Sequence, residues 1–340
     1  MSKNFQKAMP SRPLLIVMTP VRNEAWVLPA FLQATSLWAD YIIIADQMST
    51  DGSRDIYKQF PKVTVIDNTM TEMHQAAARR LLFDAAMKIE GNKVLFALDA
   101  DEFLSGDFVH TEAWNGILTS QPGDCFCWRW MNLYPDGKTY STFTPYFWAL
   151  HPNEDWHEGI FPDNFIHEWR LPWPSKNSKT VEISDFCSIH FNRVNQRRQT
   201  NKERFYQVSS LAQSATNWNF FSIYRMYHAT DHSEHLPVPA DAYKFYEDNG
   251  IDLWQLIDFD DEGQHYTNVV KHYFERDGLK KYAWLDIWND DWCKTIGVEN
   301  PQRWYHRLTL RFLKWSGEHR NLFTRALDKF LKLLWKAVKH

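Results

Sequence analysis

The chain has 340 residues, 44% of them hydrophobic, and a formal charge of -4. That apolar content excludes general disorder, and the mildly acidic balance gives no overall pull toward nucleic acid. The length suits one large domain or two modest ones.

Seventeen Trp and a 16% aromatic share are high for this length. Aromatic faces stack on sugars, but more often they fill cores, so composition alone decides nothing here. The four cysteines, Cys125, Cys127, Cys187 and Cys293, form no C-x-x-C pair and fit neither a zinc ribbon nor a disulfide framework. They read as reduced, buried thiols of a cytoplasmic protein. Residues 1–13 are polar and short, unlike a signal peptide, and no run of about 18 apolar residues occurs. Any approach to a membrane is therefore expected from the side.

The first hundred residues alternate strand and helix signals. Leu14 to Met18 is a continuous apolar run, as in a strand buried on both faces. A turn at Thr19-Pro20-Val21-Arg22-Asn23-Glu24 leads into a helical pattern through Leu28, Phe31, Leu32 and Leu37. Tyr41 to Ala45 is a second strand ending at Asp46, and Ser49 to Ser53 is a turn and helix start. Val63 to Ile66 gives a third strand, Gln75 to Lys88 a helix, and Val94 to Leu98 a fourth strand running into Asp99. Such alternation predicts right-handed crossovers and a mostly parallel α/β sheet. Ligands of these sheets sit beyond the carboxyl ends of the strands, where Thr19, Asp46 and Asp99 all fall.

From Cys125 to about His190 the pattern changes to strands and loops. Phe126 to Tyr134 reads as one strand, followed by a Pro-Asp-Gly turn at 135–137. Tyr146 to Leu150 and Phe186 to Phe191 read as two more. After Asn195 the chain reads as helical, with loops expected around 229–240 and 286–301.

Asp99, Asp101 and Glu102 put three acids within four residues. Crowded carboxylates repel unless a cation offsets them, and Mg²⁺ or Mn²⁺ prefers oxygen ligands completed by phosphate. Alone, Asp-x-Asp is a common acidic turn.

The neighbouring segments give it a context. Pro20-Val21-Arg22-Asn23-Glu24, Asp46-Gln47-Met48-Ser49-Thr50-Asp51-Gly52-Ser53 and Asp99-Ala100-Asp101 resemble, in order and spacing, the family 2 glycosyltransferases. The resemblance is tight over roughly the first 105 residues. It implies a GT-A fold with a Rossmann-like, mostly parallel sheet and a helical C-terminal extension, and an inverting, metal-dependent transfer from a nucleotide sugar. Donor binding would fall to Thr19, Arg22, Glu24, Asp46, Gln47, Arg79, Asp99 and Ala100. Gln47 departs from the family, which more often carries a second acid there. Arg79 resembles a helix arginine that reaches the donor phosphates, although a solvated helix face would explain it equally.

Ile166-His167-Glu168, and Ser188-Ile189-His190-Phe191 with its following basic helix, resemble segments of the bacterial lipopolysaccharide-core and capsule enzymes. The implied metal ligands are Asp99, Asp101 and His190, holding Mn²⁺ or Mg²⁺. Glu168 is the expected catalytic base, with Asp155 and Glu158 as rivals. A UDP-sugar is the favoured donor, and a cell-surface glycan or glycolipid the expected acceptor. A GT-A catalytic domain is expected over 1–210, its nucleotide half about 12–105 and its acceptor half about 106–195. Residues 211–340 would form an aromatic-rich helical region.

A sugar-nucleotide nucleotidylyltransferase would need a Gly-rich loop after the first strand, which 19–24 lacks. A catalytically inactive relative that still binds nucleotide sugar stays open. His228, His232 and His235 lie in a polar stretch read as a loop, since an i, i+4 pair converges on zinc only on a helix. From Arg303 onward, ten Lys or Arg stand against two acids. Residues 320–340 form a basic amphipathic pattern, which either docks on the protein or lies on an anionic membrane surface as a peripheral anchor.

Overall fold

The computed structural model describes residues 12–142, 146–153, 170–172, 178–213, 219–228, 235–257 and 259–338. The chain forms two compact units, Met1–Val194 with His235–Phe259, and Asn195–Glu234 with Asp260–His340.

The first unit holds twelve strands among the described residues. They are β1 (Leu14–Val21), β2 (Tyr41–Asp46), β3 (Val63–Asp67), β4 (Lys93–Ala97), β5 (Glu102–Leu104) and β6 (Asp124–Trp128). Next come β7 (Trp130–Leu133), β8 (Thr139–Thr142), β9 (Tyr146–Leu150), β10 (Lys179–Glu182), β11 (Ser188–His190) and β12 (Leu236–Pro237). The helices in chain order are α1 (Leu28–Ser36), α2 (Ser53–Tyr57), α3 (Gln75–Met87), α4 (Glu112–Leu118), α5 (Gln196–Ala212) and α6 (Phe220–Tyr227). They continue with α7 (Lys244–Asp248), α8 (Gln264–Asp277), α9 (Asp290–Ile296), α10 (Trp304–Glu318) and α11 (Leu322–Val338).

The main sheet has the order β10-β6-β9-β4-β1-β2-β3. β4, β1, β2 and β3 run parallel, and β9 alone runs against its neighbours β4 and β6. Leu15 to Met18, Ile42 to Ala45 and Val94 to Ala97 are almost wholly buried, so helices cover both faces and the strands need no polar alternation. β3 is the edge, and all five of its residues are therefore at least partly exposed. The mixed α/β architecture, mostly parallel sheet and helical C-terminal part are those expected from the sequence.

A second sheet, β12-β8-β7-β11-β5, stands beside the first in the same unit. It corrects one expectation: 126–134 is two strands, because the chain passes at Arg129 from the first sheet into the second. The turn at 135–137 is present. Asp136 accepts the amides of Lys138 and Thr139 at 2.9 Å each, and Gly137 takes a left-handed φ of 62°. A Cβ there would collide with Ile257, so only glycine fits.

Trp128 and Trp148 are fully buried and stack at 5.8 Å, which assigns these two to the core. Cys125, Cys127 and Cys293 are buried free thiols, and burial pushes Cys125 up to about 11. Cys187 is only half-buried, with Sγ 3.2 Å from Ser105 Oγ.

In the second unit, asparagine caps start α5, α6 and α9. Asn195, Asn219 and Asn289 accept from the amides of Arg198, Ser222 and Trp292. The last of these opens α9 inside 286–301, where a loop was expected; seven residues with a single cap leave too short a periodic pattern to read from sequence.

Candidate active site

The loop after β1 and the loop after β2 are stitched together by the residues that carry the family resemblance. Asn23 donates its amide to Ser49 Oγ at 2.9 Å and accepts from the Thr50 amide at 2.7 Å. Its φ is 56°, a left-handed conformation that asparagine tolerates. The amide of Glu24 reaches Ser53 Oγ at 3.2 Å, and that of Ala25 reaches Asp51 at 2.8 Å.

Asp46 lies wholly buried beneath this stitching. Its Oδ1 accepts from the Ser49 amide (2.9 Å) and Arg54 (2.7 Å), and its Oδ2 from Tyr57 (2.8 Å). Both oxygens expected to meet a nucleotide are thus occupied by the protein. Gln47 gives its side-chain amide to the carbonyls of Met70 and Glu72, at 2.9 Å each, and so ties down the loop after β3. Thr19, at the end of β1, has a buried hydroxyl with no partner in the structure. Arg22 and Glu24 are half-buried, and Glu24 accepts from the Trp26 indole at 2.6 Å.

The turn after β4 is built differently. Asp99 takes Arg79 on one oxygen and Arg170 on the other, each at 2.6 Å. Burial would push its carboxyl up, but the charges of Arg170 and Arg79 outweigh that and hold it below the usual carboxylate range. Glu102 is buried and accepts from both Arg170 nitrogens (2.5 and 2.8 Å), the Trp130 indole (2.8 Å) and the Asp99 amide (2.9 Å). Arg170 lies over the Trp130 and Trp148 rings, 5.2 and 4.6 Å from their centres. Ala100 is buried within the turn. Arg79 Nη1 is buried without a partner.

Strand register places His190. β11 pairs with β5 so that His190 lies opposite Glu102, and with β7 so that it lies opposite Asn132. Its Nδ1 donates to Asn132 Oδ1 at 2.8 Å. In a neutral imidazole this leaves the Nε2 lone pair facing Asp101 Oδ1 at 3.5 Å and Glu102 Oε1 at 3.8 Å. Two facing acceptors need a cation or a proton between them.

The three residues expected at a metal therefore do not converge. Among the described residues no group of three His, Cys, Asp or Glu side chains is arranged to hold an ion. Asp99 serves two arginines, whereas Asp101 and His190 face each other. Two atoms each about 2.1 Å from one cation can stand up to about 4.2 Å apart, so the Asp101–His190 pair fits a divalent ion completed by phosphate oxygens.

Glu168, Asp155 and Glu158 lie outside the described residues. So does His232; His228 Nε2 is 3.6 Å from Asp286, and His235 stacks on Tyr134. Arg170, Glu102, Trp130 and Asn132 were not singled out as site residues. Glu102 carried a sequence signal through its place in the acidic run, and Trp130 through the aromatic content of its segment.

Residues 16–113 match the model of the glycosyl transferase family 2. No curated protein matches the chain. Among solved structures, glucosyl-3-phosphoglycerate synthase from Mycobacterium tuberculosis, in complex with Mn²⁺, UDP and glucosyl-3-phosphoglycerate, aligns at 17% identity and a TM-score of 0.26. That alignment covers 36% of this chain and 44% of that one, so the chain spans less than half the length of this relative. GalNAc-T7 with UDP, GalNAc and Mn²⁺ aligns at 13% identity and a TM-score of 0.34, over 78% of this chain and 59% of that one. Likenesses this low carry nothing about ligands or substrates. The match covers the segment that holds both stitched loops and the acidic turn, and it is residues 16–113 that are similar to the glycosyl transferase family 2.

Proposed function

We propose that the chain transfers a sugar from a nucleoside-diphosphate sugar, a UDP-sugar by preference, to a hydroxyl of a glycan or glycolipid, with inversion and in one displacement. The observation that carries this reading is the Asp101–His190 pair, with Oδ1 and Nε2 3.5 Å apart beside two buried arginines. Asp101 and His190 would hold Mn²⁺ or Mg²⁺, and Asp99 would act through Arg79 and Arg170 instead of touching the metal. The cation supplies charge stabilisation for the departing diphosphate.

The residues of the chain do the rest. Arg79, anchored by Asp99, offers its unpartnered nitrogen to a phosphate oxygen. The orphan Thr19 hydroxyl, with Arg22, Glu24, Gln47 and Ala100, would line the donor, while Asp46 holds the loop that frames the nucleotide. The acceptor oxygen attacks the anomeric carbon, the bond to the diphosphate oxygen breaks, and a carboxylate takes the hydroxyl proton.

Glu168 is the base of this proposal, with Asp155 and Glu158 as its rivals. The catalytic domain would comprise residues 1–210, with nucleotide contacts from 12–105 and acceptor contacts from 106–195.

Metal-dependent hydrolysis across UDP-, GDP- and dTDP-sugars tests the reading. One nucleotide should be hydrolysed, and only with Mn²⁺ or Mg²⁺ present; equal rates in chelator would contradict the cation. Glu168→Gln should abolish transfer while donor affinity stays within about twofold, and near-normal turnover would remove Glu168 from the role.

A further inference from the structure

α10 and α11 turn their apolar strips outward. Eight of the fourteen large hydrophobic side chains exposed among the described residues lie on these two helices, so they form a patch and not ordinary scatter. On α11, Leu322 is 86% exposed, Leu333 67% and Phe330 54%. On α10, Trp304 is 75% exposed, Leu308 58% and Trp315 46%. At 100° per residue, each set of three falls within a quarter-turn of its helix.

The inward faces explain why. Arg225 of α6 donates to the Leu313 carbonyl of α10 at 2.6 Å, to Ser316 Oγ, and to both oxygens of Asp328 on α11 at 3.0 and 3.1 Å. Arg320 adds a bond to Asp328 at 2.6 Å. Leu313, Ser316 and Thr324 are completely buried. α11 thus docks through a Thr–Asp face, against the usual order in which the apolar face goes inward. A folded helix that spends its polar side on the protein keeps its apolar side for something else.

The charges choose the occupant. Arg307, Arg311 and Lys314 on α10, and Arg325 and Lys329 on α11, are exposed beside the apolar strips. The acids of this stretch are Glu318, which is exposed, and Asp328, which is buried against Arg225 and Arg320. Cations flanking Trp, Leu and Phe match an anionic lipid headgroup layer over its acyl chains. Neither helix, among the described residues, is long and apolar enough to cross a membrane.

We propose that α10 and α11 together form an interfacial docking surface for an anionic lipid bilayer, lying in its plane. The surface is independent of catalysis, and its test uses neither donor nor acceptor. The full chain is sedimented with vesicles of phosphatidylcholine alone and of phosphatidylcholine with phosphatidylglycerol. Binding should require phosphatidylglycerol and weaken as salt rises. Leu322→Ser/Phe330→Ser/Leu333→Ser and, separately, Trp304→Ser/Leu308→Ser/Trp315→Ser should each reduce it by roughly tenfold or more. All six side chains are exposed, so thermal unfolding should not change, which separates lost docking from lost folding. Three results would overturn the proposal: no binding to phosphatidylglycerol vesicles, equal binding to both vesicle types, or variants that bind like the parent. A fourth would reassign the surface to a second copy of the chain: lipid-free, concentration-dependent dimerisation abolished by the same substitutions.

Discussion

The loops after β2 and β4 look alike in the sequence. Each puts an aspartate at the carboxyl end of a buried parallel strand, followed by a short polar turn with a second aspartate. In the structure they divide the work. Asp46 has both oxygens satisfied by Ser49, Arg54 and Tyr57, all within eleven residues, so this carboxylate organises its own loop. Asp99, Asp101 and Glu102 instead meet side chains from four distant places: Arg79, Trp130, Arg170 and His190. The first carboxylate is satisfied within its own loop, whereas the acidic turn after β4 draws its partners from across the fold, which is why the proposed donor site is placed there.

Substitutions can break or sharpen that contrast. Asp101→Asn should lower transfer by about 10²–10³-fold with little change in melting temperature, since it removes a charged donor from a site poised for a cation. Activity assays with thermal melts would check both halves. Arg170→Ala should cost about 3–5 kcal/mol in denaturant unfolding, because it leaves the buried Glu102 carboxylate without its guanidinium. Lysine should recover only part, as a point charge cannot fork across Asp99 and Glu102. Asp46→Asn should cost about 2–3 kcal/mol in the same assay through its charged hydrogen bonds to Arg54 and Tyr57, while cation affinity stays unchanged. If Asp46→Asn instead weakened cation binding as strongly as Asp101→Asn, the division between the loops would be wrong. Asn132→Ala frees the His190 ring and should lower cation affinity by about 10–100-fold without removing a ligand.

Much of the fold was legible where burial leaves a local trace. β1, β2 and β4 are covered on both faces and read as unbroken apolar runs, and Gln75 to Met87 holds helix formers throughout. Arg129 leaves no such trace: a strand that changes sheets keeps its apolar character, so 126–134 read as one element. The site follows the same rule. Asp99 and Asp101 were visible because their cluster is contiguous, and His190 entered only through the family resemblance. Arg170 and Asn132 act across 71 and 58 residues of sequence, a separation that no periodicity records. Reading locally put Asp99 among the metal ligands and did not show the two arginines that its oxygens accept from. In the second unit, the amphipathic pattern of 320–340 was legible, but not which face the protein would take; that depended on Arg225 reaching Asp328 across 103 residues.

The central claim is that Asp101 and His190 together form the cation site of the donor complex. Calorimetric titration of UDP, with and without Mn²⁺, tests it most directly when run on the parent chain, Asp101→Asn, His190→Ala and Asp46→Asn. The account predicts Mn²⁺-enhanced UDP binding in the parent chain and in Asp46→Asn, and loss of the enhancement in the other two. Enhancement that survives both Asp101→Asn and His190→Ala would place the cation elsewhere and contradict the account.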